Sequence, residues 1–195
     1  MKQPRRALLL RTTLAFLLGW LTCLLAVKAD SWARPAARVF ASARGNHGLK
    51  VVPPSRLSHA TQHKAAATLF TLEPRSGAEK IEWQAALVNV PHRVFVSSAD
   101  GSPVVVTVDT WANLGHAHSL VVYGWGGRVV ADFALEDLLT PGEMSKVKRT
   151  APSRWWAERA AFRFAPNGTR FVIRMDWGKV ITVDLRSGKI VSPRR

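Results

Sequence analysis

The amino-acid sequence predicts a mainly β protein: an antiparallel β-repeat with a short helical insert, preceded by an N-terminal hydrophobic segment. Three observations predict this fold, namely β-branched apolar runs of strand length, glycine turns between them, and similar strand-turn units at separate places in the chain. The clearest runs lie in residues 100–130 and read S-P-V-V-V-T-V and L-V-V-Y-G-W-G-G-R-V-V. Because these runs are apolar almost throughout, we expect strands buried on both faces within a stack of sheets.

Residues 1–29 are predicted to be a signal peptide or a signal anchor. Basic residues precede an apolar run over residues 12–27, and the small side chains of Val27 and Ala29 favour cleavage after Ala29. An uncleaved anchor is the alternative, because the run approaches the roughly 17 to 20 residues that span a bilayer. Either way the N-terminus inserts in the membrane at least transiently. The rest is expected to be exported, as a periplasmic, extracellular or membrane-anchored domain.

The charge of the chain is high and unevenly distributed. The 195 residues carry a formal net charge of +15, and residues 146–195 hold thirteen Lys and Arg against three acids. This C-terminal third is a cationic field, for which a solvated basic face is the simplest interpretation. Export makes an anionic envelope polymer, a carbohydrate or another envelope protein the expected partner and argues against nucleic acid. The single Cys23 lies in the apolar run, which excludes a disulfide framework in the exported part.

Two segments follow the predicted signal. Residues 30–64 are rich in Ala, Arg, Ser and Pro and show little periodicity, so they predict a flexible tether with one short helical turn near residues 36–44. The β-repeat domain is expected to span residues 65–195. It opens with A-A-T-L-F-T-L-E-P-R-S-G-A-E-K-I-E-W, which predicts a strand, a turn and a second strand.

Two internal similarities support the repeat. Residues 100–111 align on residues 167–177 with a shift of 67 and with the tryptophan displaced by one, so that Asp109 falls on Asp176. A second unit, an apolar strand followed by a glycine turn and another strand, occurs three times. The glycines of these turns are expected to adopt positive φ. The predicted structural turn residues are Gly77, Asp100, Gly101, Gly127, Asn167, Gly168 and Gly188.

The order of these units resembles a blade of bacterial β-propellers of the WD-repeat-like, quinoprotein-like kind. The resemblance covers roughly residues 65–191 and rests on D-G-S-P-V-V-V, N-G-T-R-F-V-I and R-S-G-K-I-V. It implies about two to three repeat units, whereas propellers typically use four or more blades. The exposed sheet edges could be covered in a partial propeller-like sheet array, in a small sandwich or in a homo-oligomer.

A non-repeating insert at about residues 134–161 separates the two full units. Thr140 and Glu143 have the spacing of a capping box, with Pro141 at the first helical position, so a short helix is predicted there. Ser153 is predicted to cap a second short helix that carries Trp155 and Trp156. The insert is expected to cover one end of the sheets or to form a lid.

The insert also holds the candidate ligand-binding residues Arg154, Trp155 and Arg159. In a helix Trp155 and Arg159, four residues apart, share one face, whereas Trp156 points about 100° away from Trp155. We therefore expect a buried Trp156 and a more exposed Trp155 next to Arg159, facing an anionic or carbohydrate ligand. The competing interpretation is that both tryptophans belong to the core.

His116, His118 and Asp109 are the candidate metal ligands. The two histidines in G-H-A-H-S are spaced to reach one metal ion from an extended loop, and Asp109 would be a third ligand. A polar loop, with Asp109 holding turn amides, is the more common role for such residues. The sequence contains no G-x-S-x-G, H-E-x-x-H or phosphate-loop motif, so it predicts no catalytic residue and no cofactor.

These features favour an exported or membrane-anchored, non-catalytic β-repeat module that binds or scaffolds in the cell envelope. Two alternatives come from other classes. One is a metal-dependent hydrolase that uses His116, His118 and Asp109. The other is a cationic surface protein that binds anionic envelope polymers through residues 146–195, and it predicts binding that weakens steeply with salt.

Overall fold

The protein is mainly β, as the computed structural model shows for residues 32–57, 63–98 and 103–191. The predicted signal segment and the predicted turn residues Asp100 and Gly101 lie outside these ranges. Within them, no helix has both the length and the apolar character needed to cross a bilayer.

Eleven strands of the described residues form three antiparallel sheets, and each sheet connects consecutive strands in chain order. The first sheet contains β1 (Arg38–Ala41), β2 (His47–Val52), β3 (Ala66–Leu72) and β4 (Glu79–Ala86). The middle sheet contains β5 (Pro91–Val96), β6 (Val105–Thr110), β7 (Leu120–Tyr123) and β8 (Val129–Phe133). The third sheet contains β9 (Ala161–Phe164), β10 (Arg170–Arg174) and β11 (Val180–Asp184). A bridge from Val183 to Ile190 adds the start of a fourth strand to the third sheet.

The central strands β6 and β7 of the middle sheet are buried on both faces, as expected from their apolar runs, whereas β5 and β8 are only partly buried. Successive side chains of a strand point to opposite faces, so neighbours in β6 enter different cores. Val105 packs in the core shared with the first sheet, and Val106 in the core shared with the third. The first core also holds Leu49, Val51, Leu69, Trp83, Val121 and Tyr123. The second core also holds Val108, Leu120, Val122, Phe171, Ile173 and Ile181.

The recurring hairpin occupies the same place in each sheet. It joins the third and fourth strands: β3 to β4, β7 to β8, and β11 to the bridge at Ile190. The two stretches aligned with a shift of 67 contain β6 and β10, each the second strand of its sheet. This arrangement is compatible with an antiparallel β-repeat, while the resemblance to propeller blades stays a prediction.

Glycines with positive φ stand in these hairpin turns. Gly77, Gly127 and Gly188 have φ values of 69°, 74° and 69°, and Gly168 between β9 and β10 has a φ of 67°. Gly188 has a second reason to lack a side chain, because a Cβ there would lie 2.6 Å from the carbonyl oxygen of Val130 in β8. At Gly77 a Cβ would meet no atom within 4 Å.

The predicted tether over residues 30–64 is corrected by the structure, because the range contains strands β1 and β2. Residues 38–41, where a helical turn was expected, form β1 and pair with β2, which in turn pairs with β3. Leu49 and Val51 of β2 are 0% and 4% exposed in the first core. The alternating residues in H-G-L-K-V-V are typical of a half-buried strand. The pattern was missed because the residues around it are rich in Ala, Arg and Pro.

The insert is helical only in its first half. Helix α1 (Leu135–Leu138) is followed by α2 (Pro141–Met144), where the backbone N–H of Thr140 donates to the Glu143 carboxylate at 2.8 Å. The helix predicted after Ser153 is absent, and the chain forms hydrogen-bonded turns there. The backbone N–H of Trp155 instead donates to the carbonyl of Lys148 at 2.8 Å. This hydrogen bond closes a loop between residues 148 and 155.

Candidate functional site

Asp109 links the end of β6 to the insert. Its Oδ1 accepts hydrogen bonds from the backbone N–H of Gly115 and from Nε1 of Trp156, both at 2.8 Å. The residue is 2% exposed and has a φ of 59°, a conformation that aspartate tolerates better than most residues. Burial raises the pKa of Asp109 to about 7, and the two hydrogen bonds oppose that rise. This carboxyl group therefore has a structural role in joining a loop and an indole.

The three candidate metal ligands, Asp109, His116 and His118, have different hydrogen-bond partners in the structure. Asp109 carries the two hydrogen bonds just described, and the Nδ1 of His118 contacts the Asp132 carboxylate at 2.7 Å. The carbonyl of His116 accepts from the Ser119 hydroxyl at 2.7 Å. Over the described ranges, no group of three histidine, cysteine, aspartate or glutamate side chains is placed to share a metal ion. The geometry therefore gives no support to the metal-dependent hydrolase.

The insert forms one wall of a small cavity, which we call the tryptophan pocket. Its volume is about 240 Å³. Its lining residues are Lys146, Val147, Lys148, Trp155, Trp156, Glu158, Arg159, Asp176 and Trp177. Trp156 is 2% exposed, whereas Trp155 is half-buried. Arg154 does not line the pocket, since its guanidinium pairs with the Glu136 carboxylate.

Two groups contact the ring of Trp155. Trp32 stacks on one face with ring centroids 5.5 Å apart and an angle of 9° between the planes. Lys148 places its ammonium group 6.0 Å from the ring centroid. A sugar ring on the side of Trp32 would have to displace that indole before it could stack on Trp155. The role of Trp155 in ligand binding stays a prediction.

Trp32 was missed by sequence reasoning because it lies in the predicted tether. Its ring also meets His92 edge-on at 5.7 Å, and the neighbouring carbonyl of Ala33 accepts from Nε1 of Trp111 at 3.0 Å. A single tryptophan in a stretch otherwise rich in Ala, Arg and Pro was the available signal, since an indole of this size seldom stays fully exposed. The start of the domain is thereby attached to the insert.

The charges of the tryptophan pocket are largely balanced. Lys148 lies 3.8 Å from Glu158, and Arg159 lies 4.0 Å from Asp176. These pairs are exposed, so each contributes little to stability, but each supplies a nearby carboxylate that competes with an anionic ligand. Trp155 and Arg159 both line the pocket, as the sequence predicted, and Arg159 also lies near Asp176. Their binding of a ligand stays a prediction.

A stronger concentration of cations lies on the outer side of the third sheet. Arg170 and Arg174 alternate with the buried Phe171 and Ile173 along β10, so they point away from the core. Val172 between them is paired with Arg163 of β9. Diagonal neighbours of this kind are about 7 to 8 Å apart.

We call Arg163, Arg170 and Arg174 the arginine face. All three are exposed, and within the described part of the chain none of them forms an ion pair with a carboxylate. Asp184, opposite Arg170 in the register, uses its carboxylate to accept hydrogen bonds from the backbone N–H and hydroxyl of Ser187. The face therefore presents three exposed guanidinium groups that form no salt bridge, and the Asp184 carboxylate offsets part of the charge of Arg170.

Comparison with known proteins adds no family and no relative. No family model matches the chain, and no significant match is found among curated proteins or solved structures. The functional argument consequently rests on the described side chains and their chemistry.

Proposed function

We propose that this protein is an exported, non-catalytic β-repeat module that binds an anionic polymer of the cell envelope. The observation that carries the proposal is the arginine face, where three exposed guanidinium groups lie side by side on one sheet and, among the described residues, outnumber the one carboxylate opposite them, that of Asp184. Guanidinium groups bind carboxylates and phosphates through paired hydrogen bonds, so a linear polymer with repeated negative charges is the complementary ligand.

The support beneath the arginine face suits a binding surface. Phe171 and Ile173, which separate the arginines along β10, are both 0% exposed in the core shared with the middle sheet. Their burial fixes the pleat of the strand and hence the spacing of the charges above it. A preorganised array loses less conformational entropy on binding than the same charges on a flexible tail.

The assignment to the envelope comes from the sequence. The basic residues and apolar run of residues 1–29 favour export, and in that setting acidic polysaccharides, phosphate polymers and lipid headgroups are the abundant polyanions. A binding role also agrees with the use of Asp109, a candidate metal ligand, as a hydrogen-bond acceptor within the fold.

The proposal is tested by measuring the affinity of the full chain for polyphosphate and for polygalacturonate over a range of salt concentrations. We expect log Kd to rise linearly with log salt, because binding releases counterions from the polymer. The double change Arg170→Gln and Arg174→Gln should weaken binding and reduce the slope by roughly one for each cation removed.

The matched control removes the same charge elsewhere. Arg75 and Arg128 are exposed residues of the β3–β4 and β7–β8 turns, so Arg75→Gln with Arg128→Gln lowers the net charge equally without touching the arginine face. Equal losses for the two double variants would mean that only net charge matters, and salt-independent binding would remove the proposal altogether.

A further inference from the structure

The first strand of each sheet leaves an open edge, and one groove is bordered by the edges of β5 and β9 together with the β1–β2 turn. Among the described residues, β1 pairs only with β2, β5 only with β6, and β9 only with β10. The groove between them has a volume of about 880 Å³ and is lined by residues 41–44, 94–98 and 162–168. This volume falls in the range of about 300 to 1,000 Å³ that is typical of ligand sites. We call it the strand-edge groove.

The walls of the strand-edge groove are cationic. Arg44 stands on the β1–β2 turn and Arg163 on β9, and the described lining contains no acidic side chain. The backbone N–H of Arg44 donates to the hydroxyl of Ser98 at 3.1 Å, which ties the turn to the end of β5. Neither arginine forms an ion pair within the described ranges. An anion entering the groove therefore meets two guanidinium groups held on different sheets.

The floor of the strand-edge groove is aromatic. Phe95 of β5 and Phe162 of β9 stack with ring centroids 5.2 Å apart, and Phe164 continues the cluster through the buried Phe171 at 5.1 Å. All three floor rings are half-buried, so each keeps part of its surface open to the groove. The guanidinium of Arg93 lies 5.6 Å from the centre of the Phe162 ring.

We propose that the strand-edge groove binds a segment of an acidic polysaccharide, with its carboxylates on Arg44 and Arg163 and its sugar rings against the phenylalanines. Aromatic rings pack against the apolar faces of sugars, while a polyphosphate offers charge but no such face. The unpaired backbone groups of the strand edges are further partners for sugar hydroxyls. This inference rests on the proposed function, since it names the polymer class and a site adjoining the arginine face through Arg163.

Filling the groove tests the inference without changing charge. Ala43 is an exposed residue of the β1–β2 turn that lines the groove, so Ala43→Trp places an indole in the space a sugar ring would take. Ala78, exposed in the β3–β4 turn beside Gly77, gives the matched control Ala78→Trp. We expect the full-length Ala43→Trp protein to lose about tenfold in affinity for oligogalacturonate, comparable to one charged hydrogen bond, and Ala78→Trp to bind like wild type.

A charge variant and two further probes complete the test. Arg44→Gln should weaken oligogalacturonate binding about as much as Ala43→Trp, whereas Arg75→Gln in the β3–β4 turn should not. Methyl-esterified oligogalacturonate, which keeps the rings but lacks the charges, should bind far more weakly. Polyphosphate binding should be unaffected by Ala43→Trp. Circular dichroism and thermal melting establish that each variant is folded.

The outcomes separate this inference from the proposed function. If Ala43→Trp and Arg44→Gln bind oligogalacturonate like wild type while Arg170→Gln with Arg174→Gln does not, the groove is overturned and the arginine face stands. If none of the variants changes polymer binding, both are overturned. Equal loss of polyphosphate and oligogalacturonate in Ala43→Trp would also overturn the polysaccharide assignment.

Discussion

The carboxyl group of Asp109 makes the stability of the fold depend on pH. In the unfolded chain its pKa is about 4, its ordinary value, and in the folded protein burial raises the pKa to about 7. Between these values the folded protein holds a proton that the unfolded chain has lost, so this contribution to stability falls as pH rises from about 4 to about 7. Below pH 4 Asp109 is protonated in both the folded and the unfolded state, so its ionisation no longer lowers the stability of the fold.

Asp109→Asn is predicted to remove this dependence. Asparagine keeps an oxygen that accepts from Gly115 and Trp156, and it tolerates the positive φ of this position. We expect the variant to be more stable than wild type by on the order of 3 kcal/mol at pH 8 and equally stable near pH 4.

Urea denaturation of both proteins at several pH values measures this difference directly. The pKa values of Glu136, Glu143 and Asp184 are lowered in the folded state, but these groups contribute equally to both proteins and cancel in the comparison. A constant difference from pH 4 to pH 8 would contradict the assignment.

The burial of individual side chains was in part predictable from the sequence. Trp156 is buried and Trp155 is more exposed, as predicted, although the helix from which this was argued is absent. The partners of these side chains were not predictable, since Trp32 lies more than a hundred positions before Trp155, on which it stacks. Nothing in the local sequence connects the two.

At the scale of elements, two separate factors favour glycine in the turns: a positive φ and, at Gly188, the close approach of another strand. Gly77 and Gly188 share the same φ of 69°, but only Gly188 has backbone atoms of β8 where a Cβ would stand. Gly77→Ala should cost about 1 kcal/mol for the left-handed conformation alone. Gly188→Ala should lower the free energy of unfolding by about 1 to 3 kcal/mol more, because β8 must move or the turn must open.

Thermal denaturation of the two single variants compares these costs under identical conditions. Because the backbone conformation is matched, any excess loss in Gly188→Ala reports the contact between the β11 turn and the middle sheet. Equal melting temperatures for the two proteins would show that the close approach at Val130 carries no energetic weight.

Elements defined by their own sequence were predictable, and elements stabilised by distant partners were not. The capping residues around Pro141 specify α2 locally, and the V-V-T-V-D-T run specifies β6 by its composition. The segment after Ser153 has helical spacing, but its N–H groups are taken by the carbonyls of Leu114 and Lys148. Hydrogen bonds to other parts of the chain outweigh a weak local preference there.

At the scale of the whole molecule, the domain is predicted to require residues 38–52. A chain that begins at residue 65 lacks β1 and β2 and loses the buried side chains of Leu49 and Val51. Each of these contributes about 1.5 to 3 kcal/mol, against a total stability of about 5 to 15 kcal/mol for a typical domain. We expect this chain to have no cooperative thermal transition or one at a much lower temperature.

A chain that begins at Asp30 is the control for this truncation. It removes the N-terminal apolar segment but keeps both strands, and it should melt cooperatively when followed by circular dichroism. If the chains beginning at residues 30 and 65 melted at the same temperature, the first two strands would be dispensable and residues 30–64 would act as a tether after all.

The stacking of sheets was predictable from the apolar runs, but the sites between sheets were not. The strand-edge groove combines residues 41–44, 94–98 and 162–168, which are far apart in the sequence and individually unremarkable. The cationic field of residues 146–195 indicated the sign of the charge. The arrangement of three of these cations as the arginine face depends on the register of β9 against β10, which could not be predicted from the sequence.

The burial of β6 and β7 between two cores has a consequence for how the molecule opens. The first and third sheets each rest on one core, so either can separate while the other stays in place. Freeing β6 requires both separations at once, which is the costliest local opening the fold permits. Backbone amides of Val106 and Val122 should therefore be the last to exchange their protons with heavy water, long after those of β1 and β9, and their protection should approach the free energy of global unfolding.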